Sequence, residues 1–369
     1  MPVKPSTLKM LEHAPATVTD YKREPLAVAG GAAEPAHASL RVSVVIPCFN
    51  EERYIGKVLG NLVNQYEAES FEIIIVDGMS EDGTRKVVSK FVEENPQVQV
   101  RLVDNPARHI PAALNLGIAA ARGEIIVRMD AHSVPSLNYV RRLAELLEKG
   151  DAEVCGMPWR IEPGADTSVA RAIARAVAHP FGIGDAKYRL SGLASSEFVD
   201  TVPFGAFAKS LWQEVGGFDE SLLANEDYDF YYRIRQRGGR VLLDASGYSS
   251  YYARATLLDL ARQYFRYGRW KAEMLKQHPR SARLRQLVAP AFVLSLMGLS
   301  ALGIFWTPAL YLLVLVIAAY SLLATTFAVR LALKSEEPKL AFVLPAVFFI
   351  IHASWGSGFL LSLLRSPRR

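Results

Sequence analysis

From Gln286 to Val329 this 369-residue chain contains no Lys, Arg, Asp or Glu, and that single run limits what the chain can become. A helix rises 1.5 Å per residue, so the run is roughly twice as long as a ~30 Å hydrocarbon core requires and must turn once. Thr307-Pro308 is the natural place, because proline ends one helix and suits the first turn of the next. A second uncharged stretch covers Leu340 to Leu364, its polarity broken only by His352 and scattered serines. Residues 286–365 are therefore expected in a membrane, as two or three apolar helices near 287–306, 309–330 and 340–364.

The formal charge of +5 is concentrated beside this run. Between Arg254 and Arg285 nine Lys and Arg face two acids, a local +7 that leaves −2 for the rest. Basic residues flanking a span mark its cytoplasmic side, and they attract anionic lipid and lipid phosphate. Residues 254–285 are thus read as a basic amphipathic juxtamembrane segment, and the chain as a multi-pass protein of the cell (inner) membrane with its soluble part cytoplasmic. No nucleic-acid partner is expected, since a basic block next to a span has this simpler explanation. Three full spans would carry Arg365, Arg368 and Arg369 outside, against the charge rule, so one apolar segment is expected to be re-entrant or interfacial. Residues 1–40 are rich in Ala, Pro and charge, hold no apolar core of a signal peptide, and read as a disordered arm. Cys48 and Cys155 offer neither a disulfide framework nor a metal-ligand spacing; they read as small buried hydrophobes in a reducing compartment.

Residues 41–253 alternate between two patterns. Short runs rich in Val and Ile occupy 42–46, 71–76, 98–103, 125–129 and 153–157, and helical patterns of ten or more residues fall at 54–65, 82–94, 110–121 and 136–149. Such repetition predicts an α/β domain whose sheet is mostly parallel, with helices on both faces. Ligands of such sheets bind beyond the carboxyl ends of the strands. There the chain reads "PCFNEE" (47–52), "DGMSEDGT" (77–84), "DNPARHI" (104–110) and "DAHS" (130–133). Part of "DGMSEDGT" is a turn and helix start, with Ser80 or Asp82 as cap, but that leaves Asp77 unexplained. None of these loops is a G-x-G-x-x-G or a Gly-Lys-Ser phosphate loop, so a nucleotide would be held differently.

Taken together, these stretches resemble family 2 glycosyltransferases, which have the GT-A (nucleotide-diphospho-sugar transferase) fold. The motifs are "VSVVIPCFNEE", "IIIVDGMSEDGT", "ALNLGIAAARGEIIVRMDAH", "GGFDE" (216–220) and "NEDYDF" (225–230), in a span from about Arg41 to about Lys276. Within the family, "DAH", "PFGIGDAKYR", "VDTVPFGAF" and "YFRYGR", followed by apolar segments, resemble the succinoglycan-type branch of membrane-associated exopolysaccharide transferases. The resemblance implies that Asp77 binds the nucleotide base and that Pro47 to Glu51 packs around the uridine, with Glu51 the main polar contact. Arg108 stands in a loop where an arginine commonly reaches the base or phosphates; a solvated loop arginine is the equal alternative. The family's Asp-x-Asp motif appears as Asp130-Ala131-His132, with Asp130 expected near ribose and metal and His132 where a ligating Asp usually stands. A divalent metal, Mn²⁺ or Mg²⁺, is therefore implied, and imidazole suits Mn²⁺ better than Mg²⁺.

Inverting transfer from a nucleotide sugar also needs a base for the acceptor hydroxyl. By resemblance that base is Asp227. Glu226 and Asp229 fit the first turn of a helix capped by Asn225, and Glu226 is also placed on the acceptor side. "RQYFRYGRWK" is similar to the family's Gln-x-x-Arg-Trp element, although Tyr267 stands at the Trp position and Trp270 comes three residues late. It offers Gln263, Arg266 and Trp270 for a diphosphate and an acceptor channel; an interfacial amphipathic helix explains much of the same content. The expected function is inverting transfer of a hexose from a nucleotide-sugar, a UDP-sugar first, to a polyprenyl-diphosphate-linked glycan. Transfer to polyprenyl phosphate and an inactive scaffold with the same fold remain alternatives, and the presence of both Asp130 and Asp227 argues against the scaffold.

Overall fold

A computed structural model of the protein describes residues 40–66, 70–190 and 192–365. The arm expected over 1–40 lies outside them apart from Leu40, as do Arg368 and Arg369. The alternation is present: β1 (Val42–Cys48), α1 (Ile55–Leu62), β2 (Phe71–Asp77), α2 (Thr84–Glu94), β3 (Gln99–Asp104), α3 (Ile110–Ala120) and β4 (Ile125–Arg128). These strands pair in parallel, with Val44 opposite both Ile73 and Val127. Val42, Val44, Ile46, Ile73 and Ile75 pack into the core on one face, and Val45, Ile74 and Val76 into the core on the other. Burial on both faces is why the strands read as unbroken apolar runs rather than alternating ones. Each such side chain contributes about 1.5–3 kcal/mol. Gly117 lets α3 approach the sheet closely, since a Cβ there would meet the methyls of Val45 and Val76.

The next elements are β5 (Val134–Pro135), α4 (Tyr139–Glu148), β6 (Val154–Gly156), β7 (Trp159–Glu162), α5 (Ser168–Ala176), α6 (Pro180–Ile183), β8 (Glu197–Phe198), β9 (Ala206–Ala208) and α7 (Lys209–Val215). They are followed by α8 (Glu226–Gln236), β10 (Val241–Leu243), β11 (Ser249–Tyr252) and α9 (Leu257–Gln277). The main sheet has the order β3-β2-β1-β4-β9-β6-β10-β8, and a small second sheet the order β5-β11-β7. The strand expected at 153–157 is β6, but it does not pair with β4. Antiparallel β9 lies between them, opposite Val127 on one side and Val154 on the other. α4 starts three residues later than expected, because Val134 and Pro135 join β5 and Asn138 turns with φ +62°.

Three helices follow: α10 (Arg285–Gly303), α11 (Thr307–Lys334) and α12 (Leu344–Leu364), each long and apolar enough to cross a membrane. The turn covers Ile304 to Trp306, just before the expected Thr307-Pro308, which instead opens α11. α10 and α11 are largely exposed, and α12 is the most buried of the three. α12 lies against α9. A Cβ on Gly268 would collide with the carbonyl of Trp355, and one on Gly358 with the carbonyl of Phe265. The basic segment is therefore a packed helix whose small residues admit a neighbouring backbone, more than an amphipathic surface strip.

Candidate active site

The carboxyl ends of β1, β2, β3 and β4 lie side by side, so the four loops singled out above share one edge of the sheet. The centre of that edge is a residue the sequence reading passed over. Arg128, the last residue of β4, is buried and faces three carboxylates: Glu226 at 3.2 Å, Asp130 at 3.5 Å and Asp227 at 3.6 Å. Burial opposes its charge, yet these anions together raise its pKa further above the ordinary arginine value. Its signal was available, as a lone charge inside "IIVRM", where burial demands a partner.

The three acids of α8 differ in what they can reach. Asp229 is buried, held by Arg233 at 2.7 Å and His278 at 2.8 Å. Glu226 is buried against Arg128; burial first, and then repulsion from Asp227, push its pKa up to about 7. Asp227 has a side chain 29% exposed, and its Oδ1 accepts from the Tyr228 N–H at 2.7 Å. It is the α8 acid with an open side. Asn225 does precede the helix, but with φ +66° and no side-chain capping bond, so the expected cap is a left-handed entry turn instead.

Glu51 and His132, assigned separately above, meet. His132 Nδ1 lies 2.9 Å from Glu51 Oε1, and the ring opens on a small cavity shared with Tyr54, Lys57 and Tyr252. Burial works against the imidazolium, but the Glu51 bond and the charge of Asp130 outweigh it and raise the His132 pKa. Ala131 between them is buried. Pro47 sits near the end of β1, paired with Val76 of β2 and beyond the last residue that pairs with β4. Arg108 is half exposed, 3.2 Å from Glu81 and over the ring of Phe49 on the β1 loop.

Asp77 ends β2 as expected, but it is fully buried. Its carboxylate accepts from Ser80 N at 3.0 Å and Arg85 Nε at 2.7 Å, and from the Ser80 hydroxyl. Ser80 is thereby committed to Asp77, and Asp82 accepts from Thr84 N at the start of α2. On α9, Gln263 donates to the hydroxyls of Tyr251 and Tyr267 at 3.0 and 3.1 Å, and Arg266 Nε is buried with no hydrogen-bond partner among the described residues. Trp270, two turns further along α9, packs against Leu222, Tyr228, Tyr232 and Met274.

Among the described residues no three His, Cys, Asp or Glu side chains come together as a closed metal site. Asp130 and His132 do fit an ion shared with a substrate. Asp130 offers a partly exposed carboxylate, and Glu51 orients His132 through Nδ1, which leaves Nε2 as the ring nitrogen for a cation.

Residues 43–210 match the model of glycosyl transferase family 2. The succinoglycan biosynthesis protein ExoA of Rhizobium meliloti (strain 1021) is 29% identical over 88% of this chain and 96% of its own length. A dolichyl N-acetyl-alpha-D-glucosaminyl phosphate 3-beta-D-2,3-diacetamido-2,3-dideoxy-beta-D-glucuronosyltransferase of Methanococcus voltae is 26% identical over 88% and 97%. Among solved structures, the mannosyltransferase PcManGT from Pyrobaculum calidifontis, in complex with GDP-Man and Mn²⁺, superposes with a TM-score of 0.58 at 20% identity, covering 88% of this chain and 87% of that one. With its sheet order and these matches, residues 43–210 form a glycosyl transferase family 2 domain, and the catalytic part has the GT-A fold.

Proposed function

We propose that the protein is an inverting hexosyltransferase that takes its sugar from a nucleotide donor, a UDP-sugar, and passes it to a polyprenyl-diphosphate-linked glycan in exopolysaccharide or cell-surface polysaccharide synthesis. The observation that carries this reading is the placement of Asp130 and Asp227 on one buried guanidinium, Arg128. A donor-side and an acceptor-side carboxylate are thus held a fixed distance apart, as a displacement at the anomeric carbon requires. Asp227 takes the proton of the attacking hydroxyl, since it is the α8 acid with an open side. Glu226 stays against Arg128 and positions it. Asp130 and His132 would hold a divalent cation, Mn²⁺ before Mg²⁺, which when bound neutralises charge on the departing diphosphate. Pro47, Glu51, Arg108 and Ala131 line the nucleotide side. Asp77 supports that side from beneath through Ser80 and Arg85, and Gln263 and Arg266 face the acceptor.

The relatives' names support glycan synthesis on a lipid: one is a succinoglycan biosynthesis protein, and the other's name gives a dolichyl sugar phosphate as its acceptor. Turnover against a panel of UDP- and GDP-sugars, with lipid-linked glycan and polyprenyl phosphate as separate acceptors, tests the reading. Transfer to polyprenyl phosphate alone would replace it by the simpler lipid-phosphate reaction.

The same reading gives a membrane arrangement. Arg285 at the start of α10 pairs with Asp185 and Asp200, and Glu337 just after α11 pairs with Arg171 at 2.7 Å. Both ends of the α10–α11 hairpin thus meet the catalytic unit, while Ile304 and Phe305 at its turn are exposed. These two helices are the spans. α12 begins buried among Ile173, Leu260 and Tyr264 and ends where Lys276 donates to the carbonyls of Ser362 and Arg365. It lies along the interface, which keeps Arg365 on the catalytic side and satisfies the charge rule.

A further inference from the structure

Arg189, on a single turn after α6, is 8% exposed, and among the described residues no carboxylate pairs with it. Its hydrogen bonds go to two phenols, Tyr188 at 3.2 Å and Tyr264 at 3.4 Å. Its guanidinium carbon lies 4.7 Å from the Trp159 ring, 5.5 Å from Tyr188, 5.9 Å from Tyr267 and 6.0 Å from Tyr251. Arg128, equally buried, has three carboxylates; Arg189 has aromatic faces. Ring faces attract a cation, but they do not neutralise it, and a buried charge without a counter-ion is costly. A cage of this kind is complete when an anion enters it.

The surrounding groups are also donors in excess. Trp159 stacks on Tyr251 at 4.1 Å, and its indole N–H is buried with no hydrogen-bond partner among the described residues. Tyr267 and Tyr251 are fixed by Gln263, and the Nε of Arg266, the residue before Tyr267, likewise has no partner among the described residues. Tyr188 packs against the core cluster that includes Phe230 and Tyr231 of α8, the helix that carries Asp227, so the cage borders the acceptor side of the site. One wall is α9, the helix packed on α12.

We propose that Arg189, with the Trp159 indole N–H and Arg266, binds a phosphate ester of the substrates, and that this is the diphosphate of the lipid carrier. Guanidinium suits this task because its planar donors match phosphate oxygens in pairs. The inference rests on the lipid-linked acceptor proposed above and adds the residues that would hold its head group.

Calorimetric binding to the detergent-solubilised full chain, with no turnover required, tests it. Geranylgeranyl diphosphate stands for the carrier, and UDP with Mn²⁺ for the donor. Arg189→Gln should weaken geranylgeranyl diphosphate at least tenfold and leave UDP within about twofold; Trp159→Phe, which keeps the stacked ring, should cost a few-fold on the same ligand only. A loss confined to UDP would move the site to the donor and overturn the assignment, as would unchanged lipid binding in both variants. If Arg189→Gln does not fold, Trp159→Phe and Arg189→Lys decide by the same comparison. Failure to transfer sugar would sink the proposed reaction without altering these binding results.

Discussion

The Nη1 of Arg128 stands 3.6 Å from the Asp227 carboxylate, and the other terminal nitrogen of the same guanidinium reaches Asp130 at 3.5 Å. One cation therefore sets the spacing between the two acids assigned to opposite sides of the reaction. Arg128→Met would leave buried Glu226 without its partner. The expected loss is about 3–5 kcal/mol of stability together with activity. Arg128→Lys, which keeps the charge but not the fork, should recover folding better than turnover. Thermal melts beside turnover per folded protein check both, and a well-folded, active Arg128→Met would refute the role.

Lys271 on α9 is buried, with its Nζ 3.4 Å from the Tyr228 ring centre. Burial lowers its pKa to about 7, with Asp200 opposing the shift and Arg285 and Arg235 adding to it. The unfolded chain keeps that proton to about pH 10.4, so between these values the unfolded state binds more protons and stability rises with pH. Lys271→Met should flatten the Tm profile between pH 7 and 9 and be the more stable form at pH 7. An unchanged slope would show that the ammonium is stabilised where it lies.

His132 tests the metal assignment. Titrating Mn²⁺ and Mg²⁺ into wild type, His132→Asp and His132→Ala should show a shift toward Mg²⁺ in the first variant and a loss of metal-dependent transfer in the second. Identical profiles would reduce His132 to a partner of Glu51.

The α9–α12 contact depends on glycines, so Gly358→Val should separate the helices at a cost of about 1–3 kcal/mol and lower activity on a lipid-linked acceptor. Cys48 and Cys155 are buried, which allows a single Arg365→Cys to report topology. Labelling from the catalytic side supports an interfacial α12; labelling from the opposite side alone would make it a third span.

Much of this arrangement is legible in the sequence because local patterns dictate it. Val and Ile runs give β1 to β4, and Asp130 and Asp227 follow from motifs tied to strand and helix ends. What escaped depends on contacts between distant segments. β9 inserts between β4 and β6 from some fifty residues downstream, and three residues with ordinary propensities do not announce it. Arg189 has no local pattern either, since its cage draws on β7, β11 and α9. The packing of Trp270 on Leu222, Tyr228, Tyr232 and Met274 was equally hidden, because helical position fixes a direction but not a partner. Asp77 was placed correctly at a strand end, yet its burial under Ser80 and Arg85 follows from a side chain on the next helix.

The most direct measurement is turnover of Asp227→Asn beside Glu226→Gln and Asp229→Asn, each corrected for folded protein. Asp227→Asn should keep donor binding and lose transfer by a factor on the order of 10² or more, the range for a lost general base. Asp229→Asn should lower the melting temperature through its lost Arg233 pair while retaining turnover. Near-normal transfer by Asp227→Asn, with the loss appearing in Glu226→Gln or Asp229→Asn, would contradict the account.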